Sequence, residues 1–394
     1  MSNPSSTETA NGGREYIAAL TGLRGIAAFS VFLFHYSALH PGIRLDQSIP
    51  VLGFLLQLPL GLGFAGVDLF FVLSGFLLSL PFTGAALGLQ SRPATVSYLK
   101  RRLLRVFPAY YAQWLIILLA GAWFVTWKPQ DGVSLLAHTV MFFNMGPDPV
   151  RPLVGLWWTL PVELSFYLLL PLLAWFMTPR RWGFVMLAGF AISLAYRHWA
   201  GGAFGEVTGD VVFLTASQLP GSLPEFLLGA GAAMLVRMKS RDKGFTPGKK
   251  MADILFVSGM MLTLAWLGGV VFTFGAVYWS GHWSMIIAPI ALGCALTIMV
   301  LGLYWGSRIG TWLCANPVVY FIGLVSYSLY LWHFVIMQQI QKLGGDAYAD
   351  LHGISKFLLC TLLVIALSAL SYALFERPFF RLRGKRTPRK APRD

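Results

Sequence analysis

Charge is scarce in this chain. Asp, Glu, Lys and Arg make up 12% of its 394 residues, about half the share of a typical soluble domain. Apolar residues make up 56% and the mean hydropathy is +0.66, which excludes a water-soluble globular fold. Cysteine is scarce too. Cys294, Cys314 and Cys360 stand far apart, and that spacing supports neither a disulfide framework nor a Cys-x-x-Cys metal site. No repeat of fixed period is visible, and no metal site is expected. A cleavable leader is not expected either, because residues 1–13 are polar and of low complexity and no small-residue cleavage pattern follows the first apolar run. Residues 1–14 read as a disordered cytoplasmic tail.

What the chain has in abundance is apolar runs about twenty residues long, each enough to cross a bilayer as a helix. The expected fold class is all-α: a polytopic membrane domain over residues 15–380, followed by a basic cytoplasmic tail, 381–394. Ten spans are expected, at 17–39, 64–82, 104–126, 157–177, 182–199, 217–237, 252–273, 283–303, 318–340 and 356–376. Residues 51–63 are apolar but interrupted by Pro59 and glycines, and fit a re-entrant or interfacial piece better than a span. With the N-terminus in the cytoplasm, 24 of the 30 Lys and Arg fall on the cytoplasmic side and 6 on the other (Arg44, Lys128, Arg151, Arg197, Lys342 and Lys356). That asymmetry is the orientation signal of a membrane protein with both termini in the cytoplasm. The net charge of +14 therefore suits anionic lipid headgroups rather than nucleic acid.

Ionisable residues within the spans carry the functional argument, because a charge in a bilayer is costly and is kept where it pairs or lines a polar cavity. The first span contains Arg24 and His35, eleven positions apart. Eleven helical steps come to about 1100°, within about 20° of three turns, so both residues share a face about 16 Å apart along the axis. Toward the outer side the topology places His35, Asp68, Glu163, Glu225 and His333. Toward the inner side it places cations: Arg24, and Arg101, Arg102 and Arg105 where the third span begins. Carboxylates and imidazoles at one depth suit proton transfer. Guanidinium groups on one helix face suit phosphates. The pattern points to a phosphate-bearing donor entering from the cytoplasm, with chemistry nearer the outside. Each of these groups also has a purely structural reading, as a topology anchor, a buried pair or a core hydrogen bond. Glu376-Arg377-Pro378 reads as the boundary closing the last span.

Six stretches, in this order, together resemble the acyltransferase-3 family of bacterial integral-membrane O-acyltransferases. They are Arg24-x10-His35, Gly-Val-Asp-Leu-Phe-Phe-Val-Leu-Ser-Gly-Phe at 66–76, Arg102-x-x-Arg105 followed by Pro108, Trp-Thr-Leu-Pro-Val-Glu-Leu-Ser-Phe-Tyr at 158–167, Ser-Tyr-Ser-Leu-Tyr-Leu-Trp-His at 326–333, and Phe-Glu-Arg-Pro-Phe at 375–379. The resemblance implies transfer of an acyl group, most often acetyl from acetyl-CoA, to a hydroxyl of a cell-envelope or exported glycan. Acetyl-CoA would be a co-substrate, with no bound cofactor.

By the same resemblance His35 would be the general base or a transient acyl carrier, oriented by Asp68 or Glu163. Arg24, Arg102 and Arg105, with Arg101, would hold the CoA phosphates. His333, Glu225 and Tyr330 are candidates for the acceptor side. Larger members carry an SGNH hydrolase-like extension after the last span. The chain is expected to lack it, so that either the membrane domain delivers the acyl group itself or a separate periplasmic partner does. Two alternatives stand beside this reading. One is acylation of a small molecule such as a macrolide. The other is a proton-coupled transporter of an anionic solute, which calls for internal repeats and paired broken helices.

Overall fold

In the computed structural model the described residues are 6–40, 63–120, 129, 131–146, 149–203, 209–241, 247–275 and 277–381. Among them every regular element is helical, in agreement with the all-α expectation. The first helix, α1 (Ser6–Leu39), is followed by α2 (Gly66–Ala86), α3 (Thr95–Leu119), the short α4 (Gly132–Thr139) and α5 (Thr159–Leu173). Then come α6 (Pro179–Ala203), α7 (Gly209–Ala216), α8 (Leu219–Arg241), α9 (Lys249–Phe274) and α10 (Trp283–Tyr304). The chain closes with α11 (Arg308–Cys314), α12 (Pro317–Leu324), α13 (Ser326–Ala349), α14 (Gly353–Ser371), a π-helical turn at Tyr372–Glu376 and α15 (Arg377–Arg381).

A helix occupies the described part of each of the ten expected spans. Among the described residues seven segments are long and apolar enough to cross a membrane, and an eighth candidate is the pair α12 and α13, bent by 77°. The two remaining long helices are richer in cations: α3 carries Lys100, Arg101, Arg102 and Arg105, and α6 carries Arg180, Arg181 and Arg197. The expected re-entrant piece 51–63 lies outside the described residues except for Gly63, and so does most of the basic tail.

Helix α2 sits at the centre, packed along α8 and touching α1, α5 and α10. Two glycines set the α2–α8 contact. A Cβ on Gly75 would lie 2.2 Å from the Phe226 carbonyl oxygen, and one on Gly229 would lie 2.2 Å from that of Val72. The backbones touch, as small residues allow in membrane helices. One turn from Val72 is Asp68, and one turn from Gly229 is Glu225. The same contact therefore brings two carboxyl side chains together.

The break between α12 and α13 is built locally. Asn316 accepts a hydrogen bond from the Val319 N–H (3.0 Å) with Pro317 at the first helical position, a strong helix start. At the head of α13, Glu376 of the π-helical turn accepts from the Ser328 N–H (3.1 Å) and the Ser328 hydroxyl (2.6 Å). This tie aims Tyr327 and Tyr330 toward the centre of the molecule.

Candidate active site

Two cavities meet at the centre and share a wall of Val67, Phe71 and Tyr330. The first, about 70 Å³, is a cation cavity. Arg24 comes to it from α1, Ser74 from α2, Arg102 and Arg105 from α3, and Glu163 and Tyr167 from α5. The second, about 330 Å³, is a histidine cavity holding His35, Asp68, Arg197, Asp210, Glu225 and Tyr278. Arg24 and His35, on one face of α1, thus open into different cavities.

In the cation cavity the Arg24 guanidinium carbon lies 5.9 Å from the centre of the Phe70 ring, within cation–π range. Arg102 Nε is buried with no hydrogen-bond partner among the described residues. A buried donor left open is costly and marks a place for an anionic acceptor. Glu163 accepts from the Ser74 hydroxyl (3.1 Å) and from the Tyr167 hydroxyl one turn along α5. Arg101 is exposed on α3 and does not line either cavity.

In the histidine cavity His35 Nδ1 lies 2.8 Å from the Val31 carbonyl oxygen. A carbonyl only accepts, so Nδ1 carries the hydrogen and Nε2 keeps its lone pair. His333 is fully buried and repeats the arrangement, with its Nδ1 2.9 Å from the Leu329 carbonyl. Its Nε2 lies 3.4 Å from His35 Nδ1, close enough to share that hydrogen. The two imidazoles pack with centroids 5.2 Å apart.

Asp68 and Glu225 lie within hydrogen-bonding reach of each other, with Arg197 as the nearby cation. Arg197 is spent largely on carbonyls: its Nε donates to Gly221 (3.0 Å) and its Nη1 to Met285 (2.6 Å). Between α9 and α10, burial, reinforced by the Asp68 carboxyl, pushes the Tyr278 phenol up, so it remains a hydroxyl able to donate. Tyr330, on the shared wall, donates to the Leu156 carbonyl (2.8 Å) and accepts from Thr159 (2.9 Å).

The structure thus gathers Arg24, Arg102, Arg105 and Glu163 in one cavity and His35, Asp68 and Glu225 in the other. Tyr330 lies on the wall between them, and His333 stands behind His35. Asp68 shares the cavity of His35; Glu163 sits with the arginines. Arg197, Asp210, Tyr278, Ser74 and Tyr167 were not anticipated. Arg197 had a signal, as a cation at a span end on the side poor in cations. Tyr167 had one as the i+4 neighbour of Glu163.

The helices thus set a guanidinium-lined cavity beside one that holds a histidine. A family model described as an acyltransferase domain matches residues 17–373, and the chain belongs to that family. Relatives include O-acetyltransferase OatA of Staphylococcus aureus, 26% identical over 92% of this chain and 57% of that protein. A provisionally named peptidoglycan O-acetyltransferase of Bacillus subtilis, YrhL, is 25% identical over 92% of this chain and 55% of that one. A provisionally named membrane-bound transacylase of Komagataeibacter xylinus, BcsY, is 25% identical over 91% of this chain and 81% of that protein. The chain thus spans little more than half the length of OatA and YrhL. No solved structure matches it.

Proposed function

We propose that this chain is a bacterial cytoplasmic-membrane O-acetyltransferase that moves an acetyl group from acetyl-CoA to a hydroxyl of a cell-envelope or exported glycan. The observation that carries this reading is the shared wall: a cavity with three guanidinium groups borders a cavity with an unprotonated imidazole nitrogen. Arg24, Arg102 and Arg105 bind phosphate oxygens of the donor. The pantetheine arm runs past Val67, Phe71 and Tyr330 and presents the thioester to the second cavity. There His35 Nε2 takes the proton of the acceptor hydroxyl as its oxygen attacks the thioester carbonyl. The tetrahedral intermediate collapses, the carbon–sulfur bond breaks, and the CoA thiolate leaves and takes up the proton held by His35. The products are an acetyl ester and free CoA. The peptidoglycan and transacylase names of the relatives support a glycan acceptor.

The test is transfer of labelled acetyl from acetyl-CoA to envelope glycan by the purified full chain in nanodiscs. Ester-linked label is expected, falling about 10²- to 10⁴-fold in His35→Ala. Undiminished transfer in that variant overturns the role given to His35. If the wild type transfers no label even when a periplasmic extract is added to supply a partner, the reading as a whole is overturned.

A further inference from the structure

The histidine cavity has features beyond those that proton transfer needs. Its volume, about 330 Å³, falls at the low end of small-molecule sites, about 300–1,000 Å³. It has room for one sugar ring rather than an extended oligosaccharide. Trp158, Phe213 and Trp279 line it and brace one another edge to face, with centroids 5.1 Å apart for Trp158–Phe213 and 5.0 Å for Phe213–Trp279. Rigid aromatic faces of this kind receive the C–H face of a pyranose. Opposite chemistry comes from Glu225. It is 2% exposed, lines the cavity, and its Oε2 has no hydrogen-bond partner among the described residues. A buried carboxyl oxygen without a donor is costly, and a sugar hydroxyl is the donor that fits.

Charge narrows the ligand further. Among the described residues the cavity is lined by three carboxyl groups, Asp68, Asp210 and Glu225, and one guanidinium, Arg197. Carboxyl groups thus outnumber guanidinium groups among the described lining residues. Two of the Arg197 nitrogens already donate to backbone carbonyls, so Arg197 cannot offer its full fork to an incoming carboxylate. An anionic sugar would meet net repulsion.

We propose that the histidine cavity is the acceptor subsite and takes a single hexopyranose residue bearing no carboxylate, its ring against Trp158 and Trp279 and its hydroxyls on the Asp68–Glu225 pair. This rests on the acyltransferase reading above and names the substrate class of the same site. The experiment is equilibrium binding of tritiated methyl β-D-glucopyranoside to the full chain in nanodiscs, competed by unlabelled methyl β-D-glucoside and by its carboxylate analogue, methyl β-D-glucuronide. Acetyl-CoA stabilisation of the same preparations is measured in parallel.

The glucuronide is expected to compete about tenfold less well. Asp68→Asn/Glu225→Gln, which removes the charge of the pair and keeps its hydrogen-bonding groups, is expected to close most of that gap. Asp210→Asn, at an exposed position that folding tolerates, is expected to narrow it while acetyl-CoA stabilisation persists. Equal competition by the two glycosides, or no glucoside binding, overturns the subsite even where acetyl-CoA binds. Discrimination between the sugars in a protein that acetyl-CoA does not stabilise faults the acyltransferase reading and leaves the subsite standing.

Discussion

The tautomer of His35 is set by a carbonyl one turn away. With Nδ1 committed to Val31, the nitrogen facing the cavity is the basic one, and no carboxylate is needed to set the tautomer. Its neighbour His333 lies 3.4 Å from the same Nδ1 and, if His35 is the base proposed above, acts as a positioning residue. His333→Gln keeps an acceptor and is expected to retain most activity. His333→Leu is expected to lose about tenfold in kcat with KM little changed; a merely structural role would give equal losses in both variants, with lowered protein yield.

Much of this was legible in residues: Arg24 and His35 on one face follow from a spacing of eleven, and the Arg102–Arg105 pair follows from a spacing of three. The neighbours were not. Glu163 and His35 read as members of one layer, yet Glu163 bonds to Ser74 and Tyr167 beside the arginines. Sequence spacing fixes a face within one helix but says nothing of which face of the next helix it meets.

At the scale of elements, α2 and α8 lock the site. Gly75 and Gly229 let two backbones touch, and one turn away that contact pairs Asp68 with Glu225. Gly229→Ala forces a methyl group against the Val72 carbonyl and is expected to cost about 1–3 kcal/mol, read as a lower thermal midpoint of the solubilised protein. Gly202→Ala in α6, where a Cβ meets nothing within 4 Å, is expected to show no such loss. An unchanged midpoint for Gly229→Ala would contradict the contact.

The long helices were readable as apolar runs, with α12 and α13 read together as one span at 318–340. The 77° break between those two, and the tie from Glu376 to Ser328, were not. The tie joins segments almost fifty residues apart, and a boundary motif such as Glu376-Arg377-Pro378 does not say which helix start it will cap.

For the molecule as a whole, the unequal distribution of Lys and Arg predicts a cytoplasmic face at the end of α8 and an external face at the turn between α13 and α14. In a background free of native cysteines, Asp350→Cys is expected to react with an impermeant maleimide in intact spheroplasts, and Ser240→Cys only after lysis. The reverse pattern would invert the route drawn from donor to acceptor.

The cation cavity is proposed as the acyl-donor site, and a binding measurement decides it. Acetyl-CoA at a hundredfold excess over its dissociation constant is expected to stabilise the purified chain by about 2.7 kcal/mol. His35→Ala, whose side chain lies in the other cavity, is expected to keep that stabilisation, and Arg102→Ala/Arg105→Ala to lose it. If acetyl-CoA leaves the wild type unchanged, or stabilises the double-arginine variant equally, the cavity of Arg24, Arg102 and Arg105 is not the donor site and the account is contradicted.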